Sequence, residues 1–107
     1  MEKNQEKIRR MVQRIVDRFD PEKVILFGSY ARGMAGPDSD VDLLVVMRVA
    51  GSRRKKATEI DRVLSDRDMP LDLIVITPEQ FERDRNLIGT IVRPAVREGK
   101  LLYERAA

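Results

Sequence analysis

The stretch KVILFGSYARGMAGPDSDVDLLVVM, residues 23–47, decides how this chain folds. It opens on a short apolar run, Lys23 to Phe27, with the length and composition of a buried strand. Gly28 ends the run. Gly28-Ser29 suits the start of a helical turn, because glycine tolerates unusual backbone angles and serine is a good N-cap. Tyr30-Ala31-Arg32-Gly33 follows, then a segment rich in turn formers: Gly36, Pro37, Asp38 and Ser39. Val41 to Met47 reads as a second strand.

The polar residues at the two ends of this stretch carry the chemistry. Backbone N–H groups at a strand-to-helix start favour anions. The Ser29 hydroxyl adds a donor, and Gly28 lets phosphate oxygens approach without meeting a Cβ. Ten residues further on stand Asp40 and Asp42. At i and i+2 they leave one face of the second strand. Two carboxylates on one face repel unless a cation lies between them, and a hard, oxygen-preferring cation such as Mg²⁺ is the natural occupant. Antiparallel pairing of the two strands brings Gly28-Ser29 and Asp40/Asp42 to one edge of the sheet, on opposite sides of a nucleotide-sized gap.

A third strand-like run, Leu71 to Ile76, is interrupted by Asp72. The segment before it, Arg53 to Ser65, has a helical pattern, and a strand–helix–strand connection favours a parallel pair. Parallel pairing sets the start of the third strand beside the start of the second, so Asp72 falls near Asp40 and Asp42. Three carboxylates there suit two metal ions and an attacking hydroxyl.

Gly28-Ser29, ten residues, Asp40-Val41-Asp42 and a later Asp72 on a further strand resemble the nucleotidyltransferase superfamily that includes DNA polymerase beta. More narrowly, the chain resembles the minimal nucleotidyltransferases, over nearly its whole length. The resemblance implies an α/β (α+β) fold, a small mixed sheet packed with helices. It implies transfer of a nucleoside monophosphate from an NTP, ATP foremost, to a hydroxyl. Asp40, Asp42 and Asp72 would be the catalytic, metal-binding carboxylates, holding two Mg²⁺. Gly28 and Ser29 would hold the triphosphate, with Arg32 near phosphate. Minimal members are often encoded beside a helical HEPN-domain protein. There the small nucleotidyltransferase acts as antitoxin and can modify a hydroxyl of the toxin. A HEPN-domain toxin is therefore the partner the resemblance implies.

At 107 residues the chain is expected to be a single domain, 1–107, with one modest core. A site this small encloses a free small molecule poorly. A protein acceptor, or a site completed by a partner or a second copy, fits better. With 21 Lys+Arg against 18 Asp+Glu, the net charge of +3 suits an anionic nucleotide and is too small to argue for nucleic acid. The absence of histidine removes the usual general base and zinc ligand, leaving proton transfer to a carboxylate. There is no cysteine chemistry. No apolar run approaches the roughly 20 residues of a membrane span, so a cytoplasmic protein with no membrane association is expected.

Ile8, Met11, Val12, Ile15, Val16 and Phe19 keep helical spacing over about Asn4 to Phe19, a core-facing helix that Asp20-Pro21 ends. Ser52 reads as the N-cap of the next helix. The run Arg53-Arg54-Lys55-Lys56 reads as solvated, with contact to nucleotide phosphate, RNA or an acidic partner left open, because four cations there oppose the helix dipole. Asp66-Arg67-Asp68 repeats the Asp-x-Asp spacing but precedes Met69-Pro70 and reads as a turn. Asp38 reads as a solvated turn residue. Thr77-Pro78-Glu79-Gln80 fits a helix start running to about Arg85. Another helix is expected near Arg93-Pro94, with Pro94 at its first position, stopping at Gly99. Lys100 to Glu104 reads as an edge strand or docked tail, with Tyr103 as packing. Leu87, Ile88, Ile91, Val92 and Val96 are expected either in the core or on a surface left for a partner.

Overall fold

A computed structural model describes residues 2–106, with side chains from Asn4 to Ala106. The elements run α1 (Glu2–Phe19), β1 (Lys23–Phe27), α2 (Gly28–Ala31), β2 (Val41–Val46), α3 (Arg53–Val63), β3 (Leu71–Ile76), α4 (Pro78–Asp84), α5 (Val92–Glu98) and β4 (Lys100–Glu104). The four strands form one mixed sheet in the order β3-β2-β1-β4. β1 is antiparallel to both β2 and β4, and β2 is parallel to β3.

Both faces of this sheet are covered, which is why its central strand is apolar nearly throughout. Val41, Leu43 and Val45 point to one side, where Ile8, Met11, Val12 and Ile15 of α1 and Ile60 of α3 close the core together with Leu64 beyond it. Leu44 and Val46 point to the other side, against Phe81 of α4 and Val92 and Ala95 of α5. The i, i+3, i+4 stripe of α1 therefore does what its spacing predicts, and Val16 and Phe19 pack at its margin. Asp20 ends α1 with φ of 49°, a left-handed conformation that aspartate tolerates better than most residues.

Two helix starts follow their caps. The Ser52 Oγ accepts from Lys55 N at 3.1 Å, and the Thr77 Oγ accepts from Gln80 N at 3.1 Å with Pro78 just inside. Two details differ from expectation. Ser29 does not cap: Phe27 occupies the N-cap position of α2, and no side chain bonds to the helix start. α5 begins at Val92, so Pro94 is its third residue. There its missing N–H is still one that the helix would leave unpaired. β4 is an edge strand, with Tyr103 packed on the α1 side. Of the five apolar residues after α4, Val92 is core and Val96 packs beside it, while Leu87, Ile88 and Ile91 are exposed.

Asp66 and Asp68 turn away from the sheet edge and bind α1, Asp66 to Arg14 at 2.8 Å and Asp68 to Lys7 at 2.7 Å. Among the described residues, no helix is long and apolar enough to cross a membrane.

Ile15 is fully buried where α1 meets the sheet. Ile15→Ala is expected to cost about 2–5 kcal/mol of unfolding free energy, the range for truncating a large aliphatic core residue, measured by denaturant titration.

Candidate active site

Strand register builds the site. Phe27 pairs with Asp42 across the antiparallel β1–β2 ladder, and Asp42 pairs with Asp72 across the parallel β2–β3 ladder. Residues paired across a ladder project to the same face of the sheet. Side chains alternate along a strand, so Asp42 shares its face with Leu44 and Val46, the face covered by α4 and α5. Those helices cover the apolar part of that face, and Asp42 and Asp72 lie at the strand ends beyond it.

Gly28 is the tightest point. It follows Phe27 directly, with φ of 73°. A Cβ built on it would overlap the Asp42 carboxylate, lying within 3.0 Å of its Cγ and closer still to one oxygen. The glycine thus leaves the space that the Asp42 carboxylate fills. From sequence alone, the missing side chain reads as room for a phosphate. The structure gives it a nearer use, which only the Phe27–Asp42 register discloses.

Ser29 is the second residue of α2, partly exposed, and its carbonyl accepts from Met34 N at 2.9 Å. A four-residue helix has almost no macrodipole. The opening backbone amides, unpaired within the turn, are what it offers an anion. The loop that returns to β2 is exposed and tied by the Ser39 Oγ, which accepts from Gly36 N at 2.8 Å. Val41 N donates to Pro70 O at 2.9 Å, pinning the start of β2 beside the start of β3. Asp40 stands one residue before this point, exposed and just outside the strand, which begins at Val41 as its apolar run predicts.

The electrostatics follow from this crowding. Burial raises the pKa of the Asp42 carboxyl above its usual range, and the charges of Asp72 and Asp40 raise it further, against the opposing pull of Arg32. Arg32 in turn lies 3.9 Å from Glu98 at the end of α5. Asp42, Asp72, Asp40 and Arg32 are therefore electrostatic neighbours. Among the described residues, however, no three carboxylates close around one point. The structure brings together a paired Asp42 and Asp72 with Asp40 at the rim, rather than the finished cage that the sequence suggests. An all-oxygen, anionic donor set of this kind fits a hard divalent cation.

The other candidates fall elsewhere. Asp38 is exposed in the loop. Arg53 to Lys56 begin α3, after the far end of β2, which at about 3.3 Å per residue lies roughly 13 Å from Asp42. The polar face of α5 went unread in the sequence, although Arg93 and Arg97 at i and i+4 mark it.

Sequence and structure comparisons agree with this fold. Residues 6–100 match the nucleotidyltransferase domain family, and the chain belongs to that family. It is 36% identical over 114 residues to the Methanocaldococcus jannaschii protein named "Putative protein adenylyltransferase MJ1305", a match spanning 90% of this chain and 74% of the relative. The fold is shared with a "putative nucleotidyltransferase" from Sulfolobus solfataricus, at TM-score 0.66 and 22% identity over 94% of this chain and 79% of that one. It is shared with a chain of a toxin–antitoxin structure with AMP-PNP, at TM-score 0.59 and 22% identity over 95% and 74% of the two chains. It also matches a chain of the complex of a tri-AMPylated Shewanella oneidensis HEPN toxin with its MNT antitoxin, at TM-score 0.56 and 19% identity over 94% and 72%.

The raised Asp42 pKa has a consequence for stability. Its carboxyl holds the proton more tightly in the folded chain than in the unfolded one. That contribution is complete below the ordinary carboxylate pKa and is lost as pH rises through the raised value. At neutral pH the ionised group is a net strain on the fold. Without divalent cation at pH 7, Asp42→Asn should therefore melt at a higher temperature than the wild type, by less than about 1 kcal/mol because the site is largely solvent-screened. The gain should fade as pH falls through the raised value and be gone below the ordinary carboxylate pKa, where the carboxyl is neutral in both states. Gly28→Ala should do the opposite and lower the melting temperature at every pH, because it adds a clash to a left-handed backbone.

Proposed function

We propose that this chain is a Mg²⁺-dependent protein adenylyltransferase, moving AMP from ATP to a hydroxyl of a helical HEPN-domain toxin and so acting as its antitoxin. The observation that carries the reading is the Asp42–Asp72 pair set against Gly28. It is supported by the name of the M. jannaschii relative and by the toxin–antitoxin complexes among the fold neighbours, one with AMP-PNP and one with a tri-AMPylated toxin.

In this reading Gly28 and Ser29 hold the triphosphate through backbone amides and the Ser29 hydroxyl. Arg32, on the α5 side, offsets phosphate charge. Asp40, Asp42 and Asp72 hold Mg²⁺, which when bound neutralises phosphate charge and makes a nearby hydroxyl more acidic. Asp72, exposed at the end of β3, faces the acceptor, orients its hydroxyl and takes its proton. A bond forms between the acceptor oxygen and the α-phosphorus, the bond from that phosphorus to the β-phosphate bridging oxygen breaks, and pyrophosphate leaves. The chain contains no histidine to take the proton instead. With little covalent chemistry demanded of the protein, positioning and charge carry most of the rate.

A contact-only antitoxin is the second reading. It draws on the exposed Leu87, Ile88 and Ile91, apolar surface outside the catalytic edge. The test is intact-mass analysis of the HEPN-domain protein that co-purifies with this chain, after incubation with Mg²⁺ and each NTP in turn. A gain in units of AMP is expected with ATP. Asp42→Asn should slow it at least about a thousandfold, as expected when several kcal/mol of transition-state charge stabilisation is removed. A stable complex with no mass gain would favour inhibition by contact.

A further inference from the structure

The two edges of the sheet are built differently. β4, at one edge, carries Lys100 and Glu104 at its ends, and an irregularity interrupts its pairing with β1. Charges and bulges of this kind keep a sheet edge from pairing further. β3, at the other edge, reads LDLIVI, with no lysine, no proline and an unbroken register against β2. Pro70 O accepts from Val41 N and Ile76 O accepts from Met47 N, so the even-numbered residues turn their main-chain groups toward β2. Those of Leu71, Leu73 and Val75 face outward. Among the described residues, no backbone hydrogen bond reaches that outer side.

The opening is local. Burial deepens along β3: Leu71 to Ile74 are exposed or half-buried, while Val75 and Ile76 are buried. The accessible edge is therefore the first part of the strand, the part that holds Asp72. Its place across the sheet matters as well. Gly28-Ser29 follow β1, Asp42 lies on β2, Asp72 on β3, and the open edge comes next. With about 4.8 Å between strands, a segment added there would run beside Asp72 and roughly 14 Å from the end of β1. An in-line displacement needs the acceptor oxygen opposite the departing pyrophosphate, and these are the two opposite sides of Asp42.

Resting on the function proposed above, we infer that the open end of β3 is the acceptor-docking site, where an extended segment of the partner protein pairs as a fifth strand and presents its hydroxyl to Asp72. Main-chain bonds to Leu71 and Leu73 hold such a segment whatever its sequence. Residues paired across a ladder project to the same face. A serine or threonine opposite Asp72, or a tyrosine one diagonal step away, therefore brings its oxygen to the carboxylate. Register thus selects the hydroxyl. That oxygen bonds to the α-phosphorus, pyrophosphate leaves, and Asp72 takes the proton. A second copy of this chain is a poorer occupant. Two-fold, antiparallel pairing of β3 with itself through the outward residues sets Asp72 against another Asp72, Pro70, Ile74 or Ile76. Each choice opposes a like charge or an apolar side chain to the carboxylate.

Amide hydrogen exchange of the wild-type chain, free and in complex with the HEPN-domain protein that co-purifies with it, tests this without nucleotide. In the free chain Leu71 and Leu73 should exchange faster than Asp72 and Ile74. In the complex both should slow at least about tenfold and join the protected set. Leu73→Pro gives a second arm, because the N–H it removes faces outward and makes no bond to β2. That variant should keep the wild-type KM for ATP and raise the KM for the partner at least about fivefold, as expected for a lost main-chain bond. If it fails to fold, the exchange arm on the wild type still decides. Unchanged exchange at Leu71 and Leu73, in a complex that does transfer AMP, overturns the docking site and leaves the proposed function standing. Equal slowing in the concentrated free chain overturns it as well and gives the edge to a second copy. Slowing in the complex with no transfer from any NTP supports strand docking and overturns the proposed function.

Discussion

Gly28 can carry no side chain because the Asp42 carboxylate occupies the place where its Cβ would stand. That single close approach fixes most of what lies around it. It requires Phe27 and Asp42 to face each other across the β1–β2 ladder, and a slip of one residue would turn Asp42 to the opposite face and a neighbouring valine or leucine into its place. The parallel β2–β3 register then sets Asp72 beside Asp42, and the Val41–Pro70 bond pins the rim residue Asp40. The candidate site is thus a product of strand pairing, with loops supplying little beyond the return path.

The rest of the molecule holds that register in place. The central strand is apolar on both faces except at Asp42, so α1 and α3 on one side and α4 and α5 on the other leave one unfavourable group at the strand end. Keeping an ionised carboxylate there, raised in pKa by burial and by its two acidic neighbours, costs stability that the apolar core offsets. Functional sites commonly carry this kind of local expense. A cation bound at this edge would relieve that cost.

Much of this was legible in the sequence, for identifiable reasons. The three strands declared themselves as apolar runs, and their pairing directions followed from what connects them: a short turn-rich return from Ser29 to Asp40, and a helix between Arg53 and Val63. Ser52 and Thr77 announced their helices through capping chemistry. What stayed hidden depended on distance in space. No pattern shows that Gly28 serves the Asp42 carboxylate, that Ser29 lies inside its helix rather than capping it, or that the basic run begins at the far end of the sheet. Arg93 and Arg97 gave a faint signal at i and i+4, but only the contact from Glu98 to Arg32 ties them to the site. Leu87, Ile88 and Ile91 could not be separated from Val92 and Val96 by composition, since all five are apolar and only packing divides them.

The central claim is that register alone gathers a divalent-cation site at one end of the sheet. Paramagnetic broadening of backbone amide resonances by substoichiometric Mn²⁺ tests it most directly. The account predicts broadening centred on Gly28, Ser29, Asp42 and Asp72, with Arg53 to Lys56 spared and the pattern reversed by excess Mg²⁺. Broadening centred elsewhere, for example at Asp66 and Asp68, or spread evenly over the acidic surface, would contradict it.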